Sequence, residues 1–205
     1  MAVPASLVLA TRNPHKLREF ERLLAPAGVL VEPLPEGIEL PPEDGDTFEA
    51  NALPKARTAA ARTGRASIAD DSGIEADALG GGPGVRSARY AGEDADEREN
   101  LEKLLREAPP GSGLRYVCAL AYVDPAAGVE RVFFGDSAGR LAVQPCGERG
   151  FGYDPAFLPE GDFGGRTMAE LSDDEKDLIS HRGRAVRAML RWTTEHGDGG
   201  GLRAR

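Results

Sequence analysis

The sequence predicts an α/β fold with a mixed β-sheet, and two regions carry that prediction. Near the N-terminus, residues 6–10 form a short apolar run typical of a buried strand, and Asn13 and Pro14 then supply an N-cap and a proline at the first helical position. Further along, residues 114–124 and 129–135 have the composition of two strands paired across a turn. Strands and helices in this order favour an α/β fold over an all-β fold.

The first two helices follow from spacing and capping signals. Apolar residues recur at helical intervals from Leu17 to Leu24, and Gly28 offers a stop before a second strand at 29–34. Asp46 and Glu49 resemble a capping box at the start of an alanine-rich helix that continues to about Thr63. Pro54 interrupts that helix and predicts a kink, because proline lacks the N–H that a helix interior uses.

The remaining elements are predicted from shorter signals. Ser172 and Glu175 form another capping box, and the apolar face that follows predicts a last helix ending near His196. Four other segments have a predicted structure: a strand at 67–70, a glycine-rich loop at 80–84, a helix at 93–107 and a strand at 140–144.

Length and charge exclude several classes of protein. The 205 residues suffice for a single domain, predicted at 1–196, with a glycine-rich tail at 197–205 that we expect to be disordered. The 34 acidic and 25 basic side chains give a net charge of −9, which opposes binding to a nucleic acid polymer or an anionic membrane. Two cysteines exclude a disulfide framework, and no signal peptide or membrane-spanning run is visible. We expect a cytoplasmic protein.

Residues 10–16 are the first candidate site. A strand ends and a helix begins here, so backbone N–H groups lie beside the side chains of Thr11, Asn13 and Lys16. Such a helix start can bind an anion, although an ordinary capped helix with a surface lysine has the same pattern.

A second candidate site is acidic. Asp70, Asp71 and Ser72 follow an apolar pair, and the loop containing Glu43 and Asp44 could fold back towards them. Clustered hard oxygen ligands suit magnesium, whereas the alternative is a solvated turn, because turns are also rich in aspartate, serine and glycine.

Two further segments could recognise a base or a phosphate. Residues 149–155 combine aromatic rings with glycines, so the rings can stack on a purine or complete the core. Lys176, His181 and Arg182 can contact phosphate or purine oxygens, or form a solvated basic face.

Together, the four segments resemble the Ham1 family, the inosine/xanthosine triphosphate pyrophosphatases, in register from about Leu7 to Met189. The stretches that carry the resemblance are LATRNPHKLREF, TFEANALPKA, ADDSGIEADALGGGPGVRSARYAG, GFGYDPAF and AELSDDEKDLISHRGRA. The family implies an elongated mixed sheet flanked by helices, two lobes with a central nucleotide cleft, and usually a homodimer. The implied reaction converts non-canonical purine nucleoside triphosphates (ITP, dITP and XTP) to the monophosphate and pyrophosphate with Mg²⁺, which removes them from the nucleotide pool.

The resemblance also implies roles for individual residues. Thr11, Asn13, Lys16 and Lys55 would hold the triphosphate, with Arg12, Pro14 and His15 in the same phosphate loop. Asp71 would bind Mg²⁺ and accept a proton from the attacking water, with Glu43 as the second metal ligand, Asp70 as a further acidic member and Ser72 beside the substrate. The base pocket would be lined by Phe151, Gly152, Tyr153 and Asp154 and closed by Lys176, His181 and Arg182.

Arginine gives a physical basis for base selectivity, because a guanidinium group only donates hydrogen bonds. A 6-keto oxygen accepts such a bond, whereas the 6-amino group of adenine would leave two donors facing each other. Guanine also has a 6-keto group, and no residue in the sequence identifies what rejects it.

The sequence departs from the family pattern in two places, at Pro54 and in the phosphate loop. A kink at Pro54 would move Lys55 away from the phosphates, and Arg12 and His15 occupy variable positions in the phosphate loop.

Two other functions compete with the one that the family implies. One rival is a Maf-like pyrophosphatase of different base specificity, against which the SHRGRA segment argues. The other is a catalytically silent nucleotide-binding protein, which would be expected to lack the acidic residues that are present here.

Overall fold

The computed structural model describes residues 3–197, which form an α/β fold with one six-stranded sheet. The strands are β1 (Ser6–Leu9), β2 (Leu30–Pro33), β3 (Ser67–Ala76), β4 (Gly113–Asp124), β5 (Val129–Leu141) and β6 (Phe157–Pro159). The helices are α1 (Pro14–Leu24), α2 (Phe48–Thr63), α3 (Glu97–Glu107), α4 (Asp173–Ile179) and α5 (His181–Gly197). Short 3₁₀ helices occur in several of the connections.

The sheet is mixed, as predicted. Its strand order is β2-β1-β3-β4-β5-β6. Strand β1 runs parallel to both β2 and β3, with Ser6 opposite Leu30 and Leu9 opposite Ile68. Strand β6 runs antiparallel to β5, with Phe157 opposite Leu141. A fold of parallel strands joined by helices, extended by antiparallel strands, is a common form of α/β sheet.

The chain divides into two compact units. Unit one comprises the residues up to Asp70, Ala119–Gly135 and the residues from Arg182 onward. Unit two comprises Asp71–Cys118 and Asp136–His181. Strands β3, β4 and β5 each contribute residues to both units, so the chain passes between the units within strands.

Each unit has buried apolar residues supplied by its own elements. In unit one, fully buried side chains on α1, β1 and α2 include Phe20, Leu9 and Ala56. In unit two, Leu104 of α3 and Phe157 of β6 belong to one cluster of buried residues. Helices and strands that bury one apolar face in this way are stabilised mainly by removing that face from water.

The N-terminal elements match the prediction, except at the start of α2. Asn13 caps α1, and its side chain accepts hydrogen bonds from the first turn. The cap of α2 is Thr47, whose side chain accepts from the backbone N–H of Ala50, so the predicted capping box of Asp46 and Glu49 is wrong. Thr47 has the extended backbone angles of an N-cap, and the residue three positions further on is alanine.

Helix α2 continues through Pro54 to Thr63, so the predicted interruption does not end the helix. Pro54 lies in the second turn, where its ring removes one intrahelical hydrogen bond, but the alanine-rich sequence on either side keeps the remaining bonds. Lys55 is buried and remains on this helix.

Three predicted boundaries after α2 are wrong. Strand β3 continues to Ala76 instead of ending at Asp70, because buried apolar residues such as Ile74 extend it. The predicted third strand at 140–144 is not separate, since Arg140 and Leu141 are the end of β5. Helix α3 begins at Glu97, four residues later than predicted, behind a capping box of Asp96 and Glu99.

The C-terminal region contains two helices, so the prediction of one last helix behind the Ser172 capping box is wrong. Ser180 adopts extended backbone angles, which end the first of the two helices. The predicted capping box of Ser172 and Glu175 is present and starts the short helix α4, and α5 begins directly after Ser180. Gly197 is the last residue of α5, and the remainder of the tail that we predicted to be disordered lies outside the described residues. None of the helices within residues 3–197 is long and apolar enough to cross a bilayer.

Candidate active site

The connection from β1 to α1 positions the first set of predicted site residues in unit one. Asn13 Oδ1 accepts the backbone N–H groups of His15 and Lys16 at 2.8 and 3.2 Å. Thr11 Oγ1 accepts the backbone N–H of Asn13 at 3.2 Å, and Pro14 occupies the first helical position. These bonds fix the first turn of α1 and therefore the direction from which the Lys16 side chain leaves the helix.

Two residues of the same segment contact other parts of unit one. Both terminal nitrogens of Arg12 donate to backbone carbonyl oxygens of the β2–α2 connection, at Leu34, Pro35 and Ile38. His15 Nδ1 lies 2.9 Å from Arg18 Nη2, on the exposed side of α1.

Asp70 is the most buried charged group of unit one. Lys16 Nζ lies 3.1 Å from its Oδ1, and Arg182 Nε donates to its Oδ2 at 3.1 Å. Burial alone would raise the pKa of the Asp70 carboxyl, but the charges of Lys16, Arg182 and Lys55 outweigh burial and hold the pKa well below its usual range. Asp70 is therefore an anion that three cations share.

Lys55 connects Asp70 to the acidic loop. Its Nζ donates to the backbone oxygen of Asp70 at 2.8 Å and forms a short ion pair with Glu43 Oε1. The side chain of Lys55 is only 6% exposed, whereas that of Glu43 is 34% exposed. A buried ammonium is costly without such partners, so the Glu43 carboxylate compensates the charge of Lys55.

Arg182 also belongs to this group in unit one. Its Nη1 donates to Glu19 Oε2 at 3.1 Å, while its Nε holds Asp70. All three side chains are nearly completely buried. The structure thus places the arginine of the SHRGRA segment in an ion cluster with Lys16, Lys55 and the carboxylates of Asp70, Glu19 and Glu43.

Asp71 and Ser72 follow Asp70 directly in β3 but belong to unit two. Asp71 is buried and Ser72 is half-buried. Because successive residues of a strand face opposite sides of a sheet, we expect Asp70 and Asp71 to project in opposite directions. Since β3 continues through Asp70 and Asp71 and both are buried, the pair does not lie in the solvated acidic turn that was the alternative.

The carboxylates of Glu43 and Asp71 supply hard oxygen donors, which are the ligands that Mg²⁺ prefers. Within residues 3–197, no three histidine, cysteine, aspartate or glutamate side chains converge into a metal cage. Mg²⁺ is commonly held by only one or two carboxylates together with substrate phosphates. The Glu43 carboxylate already binds a cation, the Lys55 ammonium, so its surroundings suit a positive charge.

In unit two, Asp154 organises the predicted base-binding loop. Its Oδ2 accepts from Lys176 Nζ at 2.7 Å and from the backbone N–H of Phe151 at 2.9 Å. Its Oδ1 accepts from the hydroxyl of Tyr116 at 3.1 Å. Gly150 approaches so closely that a Cβ there would lie 2.1 Å from Asp154 Oδ2, and its φ of +70° also favours glycine.

The aromatic and histidine side chains of unit two surround this carboxylate. Lys176 Nζ lies 5.3 Å from the centre of the Phe151 ring, within cation–π range. The His181 ring stacks on Tyr116 with 4.6 Å between ring centres. Phe151, Lys176 and His181 are therefore brought together around Asp154 and Tyr116.

Gly152 and Tyr153 have structural partners in unit two. The backbone N–H of Gly152 donates to Glu97 Oε2 at 2.9 Å. The Tyr153 hydroxyl donates to the backbone oxygen of Ser87 at 2.7 Å, and the ring is part of the buried apolar cluster. Burial raises the pKa of the Tyr153 hydroxyl, which stays protonated as a donor.

An open cavity of about 450 Å³ lies beside this loop, lined by Arg149, Gly150, Ser172 and Asp173. Small-molecule sites have volumes of about 300–1,000 Å³, so the cavity falls in that range. Gly150 joins it to the Asp154 carboxylate, and Ser172 caps the helix that carries Lys176.

The chain is similar to known proteins in sequence and in fold. The model of the Ham1 family matches residues 7–192. The chain belongs to the Ham1 family. It is 50% identical over 194 residues to a dITP/XTP pyrophosphatase of Frankia alni, covering 89% of this chain and 94% of that one. It is 49% identical over 193 residues to a dITP/XTP pyrophosphatase of Yersinia pestis, covering 90% and 95%. The solved structure of a HAM1 protein from Coxiella burnetii superposes with a TM-score of 0.80 at 36% identity, covering 95% of this chain and all of that one.

Two residues that contact predicted site residues, one in each unit of this Ham1-family protein, were missed in the sequence. Glu19 lies three residues after Lys16, and residues three apart share a helix face, so this spacing could have suggested that both face the same cluster. Tyr116 lies in a long apolar strand, where a tyrosine is expected in the core, and only its hydrogen bond to Asp154 distinguishes it. No sequence signal identifies that partner.

Proposed function

We propose that this protein hydrolyses non-canonical purine nucleoside triphosphates, namely ITP, dITP and XTP, to the monophosphate and pyrophosphate. The observation that carries the proposal is the set of cations in unit one, where half-buried Lys16 and buried Lys55 and Arg182 surround Asp70. Cations that protein carboxylates already hold in place can bind a highly charged anion such as a triphosphate, because its phosphate oxygens can replace the carboxylate oxygens as hydrogen-bond acceptors. Membership of the Ham1 family, with relatives named as dITP/XTP pyrophosphatases, supports the same substrate class.

Lys16 and Lys55 bind the triphosphate in this proposal, together with Thr11 and Asn13. Both ammonium groups now contact carboxylates, Asp70 and Glu43 respectively. In the complex, phosphate oxygens replace the carboxylate oxygens, so each ammonium group still contacts an anion. The exchange therefore avoids the free-energy cost of leaving a buried charge unpaired. Pro14 contributes by presetting the first turn of α1.

Asp71 accepts the proton of the attacking water, and Asp71 and Glu43 hold a magnesium ion. When bound, Mg²⁺ neutralises charge on the phosphates and lowers the cost of in-line displacement at the α-phosphorus. Asp71 is buried, so bulk water screens the charge of its carboxylate less than it would at the surface. Weaker screening favours the use of this carboxylate as a base. Pyrophosphate is the leaving group.

Phe151 stacks on the purine, and Lys176, His181 and Arg182 recognise its 6-keto oxygen. Asp154 holds Lys176 and the backbone of Phe151 in a fixed relation, so the ring and the ammonium are ordered before a base binds. In this role Arg182 keeps the hydrogen bonds from its Nε to Asp70 and from its Nη1 to Glu19.

We further propose that the protein is a homodimer and is cytoplasmic. Light scattering on the purified chain tests the dimer.

The test is pyrophosphate release from ITP, dITP, XTP, GTP and ATP, each with Mg²⁺ and with excess chelator. We expect Mg²⁺-dependent cleavage of the first three and little cleavage of GTP or ATP. Cleavage of none supports a silent nucleotide-binding protein, and preference for GTP or ATP overturns the proposed base recognition. Asp71→Asn is expected to reduce turnover by at least about 10³-fold while inosine monophosphate still binds, because the amide is nearly isosteric but cannot accept the proton.

A further inference from the structure

The long connection between β2 and α2, residues 34–47, contains no strand or α-helix, yet it carries Glu43. Loops of this length without regular structure are uncommon in compact domains and are often functional. The position of Glu43 therefore depends on what holds the connection in place.

Arg12 holds the first part of this connection. Its Nη1 donates to the carbonyl oxygen of Leu34 at 2.8 Å, and its Nη2 donates to those of Pro35 and Ile38, both at 2.9 Å. One guanidinium thus bonds three carbonyls on both sides of the turn at Gly37, which has a φ of +77°. A guanidinium has the planar, forked donor geometry that such a contact requires.

Asn51 holds the last part. Its Oδ1 accepts the backbone N–H of Gly45 at 2.8 Å, and its Nδ2 lies 3.4 Å from the carbonyl oxygen of Gly45. Asn51 is buried on α2, one turn before Lys55. Glu43 lies between these two anchors, and it contacts Lys55.

We propose that Arg12 is a positioning residue that holds residues 34–47 in the conformation in which Glu43 meets Lys55. This inference rests on the proposed function only for the role of Glu43 as a metal ligand. Because Arg12 lies within the segment that carries Thr11, Asn13 and Lys16, the same residue joins the proposed phosphate-binding helix start to the acidic loop. Ordering the loop in advance removes an entropic cost that ligand binding would otherwise include.

This role differs from the direct phosphate contact expected for Arg12 from its place in the phosphate loop. Both terminal nitrogens of its guanidinium already bond carbonyl oxygens, so binding phosphate would sacrifice those bonds. Lysine cannot substitute, since its single ammonium group cannot reach three carbonyls in the same arrangement.

The first test is limited proteolysis of the ligand-free protein with a glutamate-specific protease. Glu36 and Glu39 are exposed in the connection, and Glu148, exposed in another loop, serves as an internal reference site. We expect cleavage at Glu36 and Glu39 to be about tenfold faster in Arg12→Ala, with an intermediate rate in Arg12→Lys, as expected for losing hydrogen bonds that restrain a loop. Cleavage at Glu148 should be unchanged. Arg18→Ala removes the same charge from an exposed position on α1 and should leave all three rates unchanged.

The second test separates positioning from phosphate binding. With XTP as substrate, Arg12→Ala is expected to raise the half-saturating Mg²⁺ concentration about tenfold while kcat changes by less than about twofold, because the loop must be ordered again when the ion binds. Binding of inorganic triphosphate without metal, followed by calorimetry, should be unchanged.

Equal cleavage rates in Arg12→Ala and the wild type would overturn the inference. So would an unchanged Mg²⁺ requirement, or weaker metal-free triphosphate binding without faster cleavage, which would make Arg12 a direct phosphate ligand. A wild-type protein that cleaves no nucleotide would overturn the proposed function instead, and the proteolysis result would still decide whether Arg12 positions the loop.

Discussion

Arg182 is buried with two carboxylates, and this changes what a substitution at that position does. Its Nε holds Asp70 and its Nη1 holds Glu19, and none of the three side chains is more than 7% exposed. From the family resemblance, Arg182 was expected to donate to the 6-keto oxygen of the base, so that its loss would lower turnover of ITP. In the structure it also compensates buried charge, so its loss affects folding as well.

We expect Arg182→Ala to lower the free energy of unfolding by about 3 kcal/mol, because Asp70 and Glu19 lose a buried cation that they share. Urea denaturation measures the change. Arg184→Ala is the matched control, because Arg184 is exposed two residues further along α5 and should change stability by less than about 0.5 kcal/mol. Equal stability of the two variants would show that the Arg182 ion pairs contribute nothing to folding.

Asp154 shows the same principle in unit two. The GFGYDPAF segment indicates a base pocket, and the resemblance places Asp154 in its lining. The structure shows both oxygens of Asp154 accepting hydrogen bonds from the protein, from Lys176, Phe151 and Tyr116. Its contribution to a base site is therefore to orient the residues around it, which a sequence motif does not distinguish from direct contact.

Helix α4 begins at the capping box that its local sequence predicts. Ser172 Oγ accepts the backbone N–H of Glu175 at 3.2 Å, and Glu175 Oε2 accepts that of Ser172 at 2.8 Å. Arg166 adds a bidentate contact to the Glu175 carboxylate, at 2.6 and 3.1 Å. This capping arrangement fixes the first turn of the helix that carries Lys176.

The contact with Arg166 predicts an acid-sensitive contribution to stability. Hydrogen bonds from Arg166, and then from the backbone of Ser172, lower the pKa of Glu175 from 4.5 to about 2. A carboxyl whose pKa is depressed by folding stabilises the folded state above its unfolded pKa, and that stabilisation is lost as pH falls through the folded value. The loss from Glu175 therefore falls between about 4.5 and about 2.

Glu175→Gln is expected to flatten the decline of thermal stability across that pH range, because glutamine keeps the capping box but carries no charge for Arg166. Calorimetric melting temperatures at several pH values measure the effect. Asp174→Asn is the control, since Asp174 is exposed in the same turn. A decline in Glu175→Gln as steep as in the wild type would contradict the prediction.

Element boundaries were predicted less well than element types, for reasons that differ between elements. The start of α2 depended on which of two adjacent residues, Asp46 or Thr47, adopted the extended angles of a cap. Strand β3 continued past Asp70 because its hydrogen-bonded neighbours in the sheet accommodate a strand that contains two aspartates and a glycine. Local propensity alone disfavours those residues in strands.

At the scale of the whole molecule, the net charge of −9 governs interactions with polyanions. We expect no binding of a duplex DNA oligonucleotide at about 0.15 M salt, because no counterion release compensates the repulsion between two negatively charged molecules. Fluorescence anisotropy of a labelled duplex measures this, with XTP binding under the same conditions as the positive control. Duplex binding that weakens steeply as salt increases would indicate a basic surface that the net charge conceals.

The sequence by itself determined the α/β class, the N-caps of α1 and α4, most strands and the family, because these depend on residue type and on spacing over a few positions. Through the family resemblance it also predicted Lys16, Lys55, Asp70 and Arg182 as candidate site residues. Only the tertiary structure decided that Arg182 bonds both Asp70 and Glu19, that Arg12 bonds the β2–α2 connection, and that Asp154 orients Lys176. These pairings join residues 22 to 163 positions apart. Partners at such separations are selected by the burial and charge compensation of the folded chain, which local sequence does not encode.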